Sequence, residues 1–238
     1  MLNKEISRRD ALKGTGIAGI ASLFTFGFGA TGAFAEGRPD EKIIDGEKAL
    51  TLLKKGNRRW VRNKPIRKSY APAGKTLEDG QWPIAAVLGC ADSRVQPDEL
   101  FDIAPANLFV VRNAGNVVDD NVLGSLEYAI EHLGVQLIVA MGHQACGAVK
   151  AADAFVMKGS KPGGHIDVIA EEIAPAIRAL PATHSIDDAV KANSIQSAKQ
   201  LISRSSILEE AIASGKVKLV SGVYSLHTKA VSFNAATE

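Results

Sequence analysis

Two short stretches of this chain carry residues of the kind that hold metals. "CADSR", Cys90 to Arg94, and "GHQAC", Gly142 to Cys146, contain the only two cysteines in 238 residues. Cys90, His143 and Cys146 offer one imidazole and two thiolates, a donor set suited to zinc. Three protein ligands leave a coordination position for water, whereas structural zinc sites close with four. Asp92 is the one obvious fourth donor nearby, and Arg94 is spaced to compete for its carboxylate through a paired hydrogen bond. Asp92 is therefore either a fourth ligand or a group standing beside the metal. The competing reading is a disulfide, since an exported protein with two cysteines can oxidise them. H-x-x-C alone is a weak signal; the elements that carry the two stretches decide its weight.

"IAAVLG" (Ile84 to Gly89), "LFVVRN" (Leu108 to Asn113) and "QLIVAMG" (Gln136 to Gly142) are short continuous apolar runs that read as buried strands. "VKLVSGVYSL" and "AVSFN" are two further strand candidates near the end of the chain. Helical periodicity fills the spaces between. Asp45 is an N-cap for a helix reaching Trp60, broken near Gly56, and Pro97 opens a short helix in "QPDELFDI". Asp119 to Leu133 is amphipathic, and further helical patterns run from Gly147 to about Met157, from Ile166 to about Leu180 with a kink at Pro175, and from Ile186 to about Ser214. Strands alternating with helices predict an α/β fold, a mostly parallel central sheet flanked by helices. Cys90 then follows the first strand and His143 to Cys146 follow the third, at the carboxyl ends where open α/β sheets bind ligands. That placement, with the Asp-x-Arg after Cys90, favours zinc over the disulfide.

The first 35 residues read differently. Paired arginines at Arg8 and Arg9 precede an uncharged run from Gly14 to Ala35 that ends in Ala33-Phe34-Ala35. These are the parts of a secretory signal, of the twin-arginine type, with cleavage expected after Ala35 and a single catalytic domain over 36–238. Export, most simply to a periplasm, is the expectation. The glycine-rich run is only weakly apolar and no cationic stop follows it, so no stable membrane span is expected after its removal. "GTGIAG" inside it fits G-x-G-x-x-G by letter but follows no strand, which discards it as a dinucleotide site. The chain has 28 basic and 26 acidic residues, and the part after Ala35 has 24 of each. That balance argues against nucleic acid or anionic lipid as the main partner.

"CADSRV", "FVVRNAGN" and "GHQACGAV", in that order, resemble the β-class carbonic anhydrases, as does "NSIQSAKQLISRSSILEEAIASGKVKLVSGVYSL". The resemblance covers roughly 45–234. It implies Zn²⁺ on Cys90, His143 and Cys146, and reversible hydration of CO₂ to bicarbonate by zinc-bound hydroxide. It implies that Arg94 holds Asp92 off the metal so that Asp92 can accept a hydrogen bond from the nucleophile. Gln81 matches a glutamine that contacts the substrate oxygen, Phe109 and Tyr128 match residues lining the apolar CO₂ pocket, and His132 matches the partner of a Tyr–His proton relay. Arg112 and Asn113 read as packing and register residues. A homodimer or homotetramer is implied, with the N-terminal helix lying across the neighbour. Val87 stands where members whose aspartate closes onto zinc carry tryptophan, which points to the open, water-bearing subclass. Two other functions fit the same residues: hydrolysis of CS₂ or COS, and a non-catalytic exported zinc-binding protein.

Overall fold

In the computed structural model, residues 43–66, 71 and 74–235 are described; the expected signal, 1–35, lies outside them. Among the described residues five strands form one sheet in the order β2-β1-β3-β4-β5. They are β1 (Ala86–Cys90), β2 (Phe109–Asn113), β3 (Leu137–His143), β4 (Lys218–Tyr224) and β5 (Val231–Ala235). The first four are parallel, and β5 returns antiparallel to β4. All residues of β1 and β3 are buried, which is why their sequences are unbroken apolar runs with no alternation. The expected α/β architecture is the observed one.

Among the described residues there are seven α-helices: α1 (Gly46–Val61), α2 (Pro97–Leu100), α3 (Asp120–Glu131), α4 (Gly147–Lys158), α5 (Ile166–Arg178), α6 (Ile186–Arg204) and α7 (Ser206–Ala213). Among the described residues no helix is long and apolar enough to cross a membrane. Alternation along the strands divides the core. Ala86, Leu88, Ile138, Ala140 and Leu219 face α3, α6 and α7. Val87, Leu137, Val139, Met141 and Val220 pack with Ala49, Leu50 and Leu53 of α1 and Leu100 of α2. A third apolar cluster gathers Cys90 and Cys146 with residues of α4, α5 and the start of α6, beyond the carboxyl ends of β1 and β3.

Two helices depart from expectation, each for a packing reason. α1 is not broken at Gly56; its Asp45 cap holds and the helix runs on to Val61. Gly56 is there because α2 comes close, and a Cβ on it would lie 1.6 Å from the carbonyl oxygen of Phe101. The long helix expected from Ile186 to about Ser214 is two. Ser205 is extended (φ −134°, ψ 114°) and caps α7 by accepting from the Leu208 amide. Its hydroxyl also donates to Glu127 Oε1 at 2.6 Å, so a contact from α3 fixes the break.

The turn after β2, Ala114–Asn116, is kinked at Gly115, which has non-helical backbone angles, and is tied to α6. Asn193 donates to the Gly115 carbonyl at 2.9 Å, and Ser197 Oγ donates to the Asn116 carbonyl at 2.9 Å. Gly115 has φ +77°, and a Cβ there would sit 2.7 Å from Ile173 Cδ1 and 2.9 Å from Ala148 Cβ. Glycine is required on both conformational and steric grounds. Gly115→Ala is expected to cost about 2–4 kcal/mol in denaturant unfolding, from left-handed strain and overpacking together.

α4 is tied at the turn before α6. His184 Nε2 lies 2.8 Å from Asp153 Oδ1 of α4, and Nδ1 lies 2.7 Å from the Pro181 carbonyl. Both partners accept only, so the imidazolium can satisfy both while the neutral ring serves one. The Pro181 carbonyl, then Asp153, with Asp188 adding its charge, raise the His184 pKa. The bridge therefore stabilises fully below the ordinary histidine value of about 6.5 and its contribution is lost as pH rises through the folded value. His184→Gln should lower the melting temperature at about pH 5.5 and converge on wild type at about pH 8.5.

Candidate metal and catalytic centre

β1 and β3 are neighbours, with Ala86 opposite Ile138 and Gly89 opposite Met141. Cys90 and His143, each at the last position of its strand, are thereby carried to the same edge of the sheet. Between His143 and Cys146 the chain turns through Ala145 in the left-handed region (φ +59°), and the Gln144 amide donates to the Tyr224 carbonyl at 2.8 Å. Cys146 then caps the amino end of α4. The Cys90 and Cys146 sulfurs and a His143 ring nitrogen all lie within 4.8 Å of one another. The sulfurs are 4.0 Å apart, about twice the length of an S–S bond, so the two cysteines stand as thiols.

His143 is completely buried, and its two nitrogens differ. Nδ1 lies 3.0 Å from the Gln144 carbonyl, an acceptor, and therefore carries the proton. That leaves an acceptor lone pair on Nε2, which has no hydrogen-bond partner. A buried polar atom without a partner is costly unless something outside the protein completes it. The sulfurs carry the same message. Cys90 accepts a hydrogen bond from the Cys146 thiol and one from the Gly115 amide, and these, with the His143 ring nearby, hold its thiol well below the ordinary range against the cost of burial. Giving that hydrogen bond, burial, and the negative charge on Cys90 push Cys146 up. One thiolate forms readily here and the second is suppressed until a cation neutralises the pair. Two sulfurs of that kind and an orphaned imidazole nitrogen are a good fit to zinc.

Asp92 stands at the margin of this group, with Oδ2 3.9 Å from His143 Nε2. Arg94 engages both of its oxygens, Nε to Oδ1 at 2.9 Å and Nη2 to Oδ2 at 2.7 Å, and the Arg94 amide donates to Oδ1 at 3.0 Å. The Arg94 guanidinium, more than any other neighbour, holds the Asp92 carboxyl well below the usual carboxylate range. The carboxylate is thus ionised and turned toward arginine, beside the ligand group.

The remaining residues of interest lie elsewhere. Phe109 begins β2 opposite Ala86, four residues back from the level of Cys90, roughly 13 Å along the strand. Its ring is 6.3 Å from that of Tyr128 on α3, which is 5.1 Å from His132. Gln81, half-buried, precedes Trp82, whose amide donates to the Ala106 carbonyl on the approach to β1. Within one chain the structure brings together Cys90, Asp92, Arg94, His143 and Cys146, and separately Phe109, Tyr128 and His132. It does not bring the second group, or Gln81, to the first. Gln144, whose carbonyl sets the His143 tautomer, was not legible as a functional residue, since a backbone acceptor has no side-chain signature.

The carbonic anhydrase sequence profile matches residues 85–231. Carbonic anhydrase 2 of Mycobacterium tuberculosis is 40% identical over 181 residues, which span 75% of this chain and 87% of that protein. A carbonic anhydrase of Mycolicibacterium smegmatis is 40% identical over 181 residues, 75% of this chain and 88% of that protein. Among solved structures, a Coccomyxa β-carbonic anhydrase in complex with acetazolamide superposes with a TM-score of 0.60 at 30% identity, covering 77% of this chain and 85% of that one. A tetrameric β-carbonic anhydrase from the ascomycete Sordaria macrospora gives a TM-score of 0.57 at 25% identity, covering 66% of this chain and 83% of that one. The matched span contains all five residues of the ligand group and its Asp–Arg pair, and the sheet that carries them superposes on β-class enzymes: the chain belongs to the carbonic anhydrase family, in its β class.

Proposed function

We propose that this protein catalyses the reversible hydration of CO₂ to bicarbonate and a proton at the Cys90–His143–Cys146 centre. Carbonic anhydrases of the β class are zinc enzymes, and the observation that carries the reading here is the buried, unpartnered Nε2 of His143 facing two cysteine sulfurs. When bound, zinc acidifies water and so supplies the nucleophile near neutral pH. The chain's own residues do the rest. Asp92, ionised and held by Arg94, has lone-pair capacity left to accept the nucleophile's O–H and so aim its other lone pair at the carbon of CO₂. With both its oxygens engaged by Arg94, Asp92 is kept as an orienting group and not a fourth ligand.

The substrate pocket is proposed to need a second copy of the chain. Phe109, Tyr128 and Gln81 have the apolar surface and the amide donor that a CO₂ site requires, yet they lie away from their own ligand group. A dimer places one protomer's aromatic group beside the other's metal centre, with His132 next to Tyr128 at that boundary. The Sordaria enzyme, similar in fold, is described as a tetramer. The amino-terminal sequence supports export by a twin-arginine route, which moves folded proteins and would let zinc be loaded before the thiols meet an oxidant.

Stopped-flow CO₂ hydration tests the role of Asp92: Asp92→Asn should retain zinc and lose on the order of 100-fold in kcat. An active Asp92→Asn enzyme would reject that role, and an inactive, zinc-loaded wild type would reject the function. Shared sites have their own signature. Co-expressed Cys146→Ser and Phe109→Ala chains, each inactive alone, should recover about a quarter of wild-type activity, because mixed dimers regain one complete site. No recovery, in dimers shown to be mixed, would place the whole pocket within one chain.

A further inference from the structure

We infer that Arg112 is a positioning residue for Asp92: from the rigid edge strand β2 it holds the segment 90–96 in the geometry that Asp92 needs. The inference rests on the reading of Asp92 given above. Arg94 and Asp92 are two residues apart in one exposed turn, and the Arg94 side chain is 56% exposed. Their ion pair fixes the carboxylate relative to its own loop; it does not fix the loop relative to the ligands.

Arg112 supplies the missing reference. Its Nε donates to the Cys90 carbonyl at 2.8 Å, Nη2 to the Asp92 carbonyl at 2.7 Å, and Nη1 to Gln96 Oε1 at 3.0 Å. The three acceptors belong to the metal-ligand residue, to the carboxylate residue, and to the last residue before α2. A planar guanidinium reaches the three with three separate nitrogens in a fixed fork, whereas an ammonium would have to reach them all from a single nitrogen. Arg112 pairs with Gly89 across β1 and β2, so its backbone is locked to the strand that carries Cys90. On the opposite side of the turn Val95 is buried and donates its amide to the Asp92 carbonyl at 3.0 Å. The Asp92 carbonyl is therefore held from both sides, and the side chain that follows from it inherits the position. A misplacement of about 1 Å in an orienting group costs about 100-fold in rate.

The test is a double-mutant cycle read by stopped-flow hydration and zinc content: wild type, Arg112→Gln, Asp92→Asn and the pair, with Arg112→Lys alongside. Arg112→Gln is expected to keep one zinc per chain and to lose about 10- to 100-fold in kcat, with Arg112→Lys recovering little of it. In the Asp92→Asn background the same change should cost about twofold or less, because the group it positions is already gone. Penalties that multiply across the cycle, unchanged kcat in Arg112→Gln, or zinc lost from both Arg112 variants would each overturn the inference. If Arg112→Gln does not fold, Arg112→Lys is carried through the same cycle with the same criteria. A wild type that binds zinc and does not hydrate CO₂ would instead refute the reading of the site itself.

Discussion

The parallel register of β1 against β3 is the constraint on which the site depends. With Gly89 opposite Met141, the last residues of the two strands, Cys90 and His143, arrive at one edge of the sheet. A slip of one residue would turn Cys90 to the other face and separate the ligands. The register is defended by burial on both sides: the residues of β1 and β3 alternate between the α3–α6–α7 face and the α1–α2 face, and every one is buried. The third ligand needs no further long-range placement, because Cys146 is the cap of the helix that leaves β3. The price of this convergence is electrostatic. Two sulfurs 4.0 Å apart cannot both ionise easily in a buried cluster, and the imidazole nitrogen beside them finds no partner. A divalent cation removes both costs together.

Around the ligands the structure separates holding from aiming. Cys90, His143 and Cys146 are buried and fixed by the sheet and α4. Asp92 belongs to a turn on the surface, and its direction is set by Arg94, while the turn itself is tied to β2 through Arg112. The turn after β2 contributes as well: Gly115 donates its amide to the Cys90 sulfur at 3.4 Å and is in turn held by Asn193 of α6. The chemistry thus draws on strands β1, β2 and β3 and on α4 and α6, which is why a few residues at the carboxyl edge depend on so much of the fold.

Much of this could be read in the sequence because it is local. Apolar runs marked the strands to within a residue or two, Asp45 marked a helix start, and the ligand motifs sat at strand ends where an α/β sheet exposes them. What could not be read is tertiary. Gly56 looked like a helix break and is a place where Phe101 comes close; Ser205 looked like helix interior and is bent by Glu127. Arg112 looked like a packing residue because three of its partners are identifiable only in space, two of them backbone carbonyls. Phe109 and Tyr128 lie side by side in space, but no spacing along the chain says how far they lie from Cys90.

On the proposed function, the two cysteines and His143 form one metal centre on which CO₂ hydration depends. The direct measurement is zinc content and hydration rate determined on the same samples of wild type and Cys146→Ser. About one zinc per chain and fast hydration are expected in wild type, with both lost in the variant. Fast hydration by a zinc-free Cys146→Ser chain would contradict it.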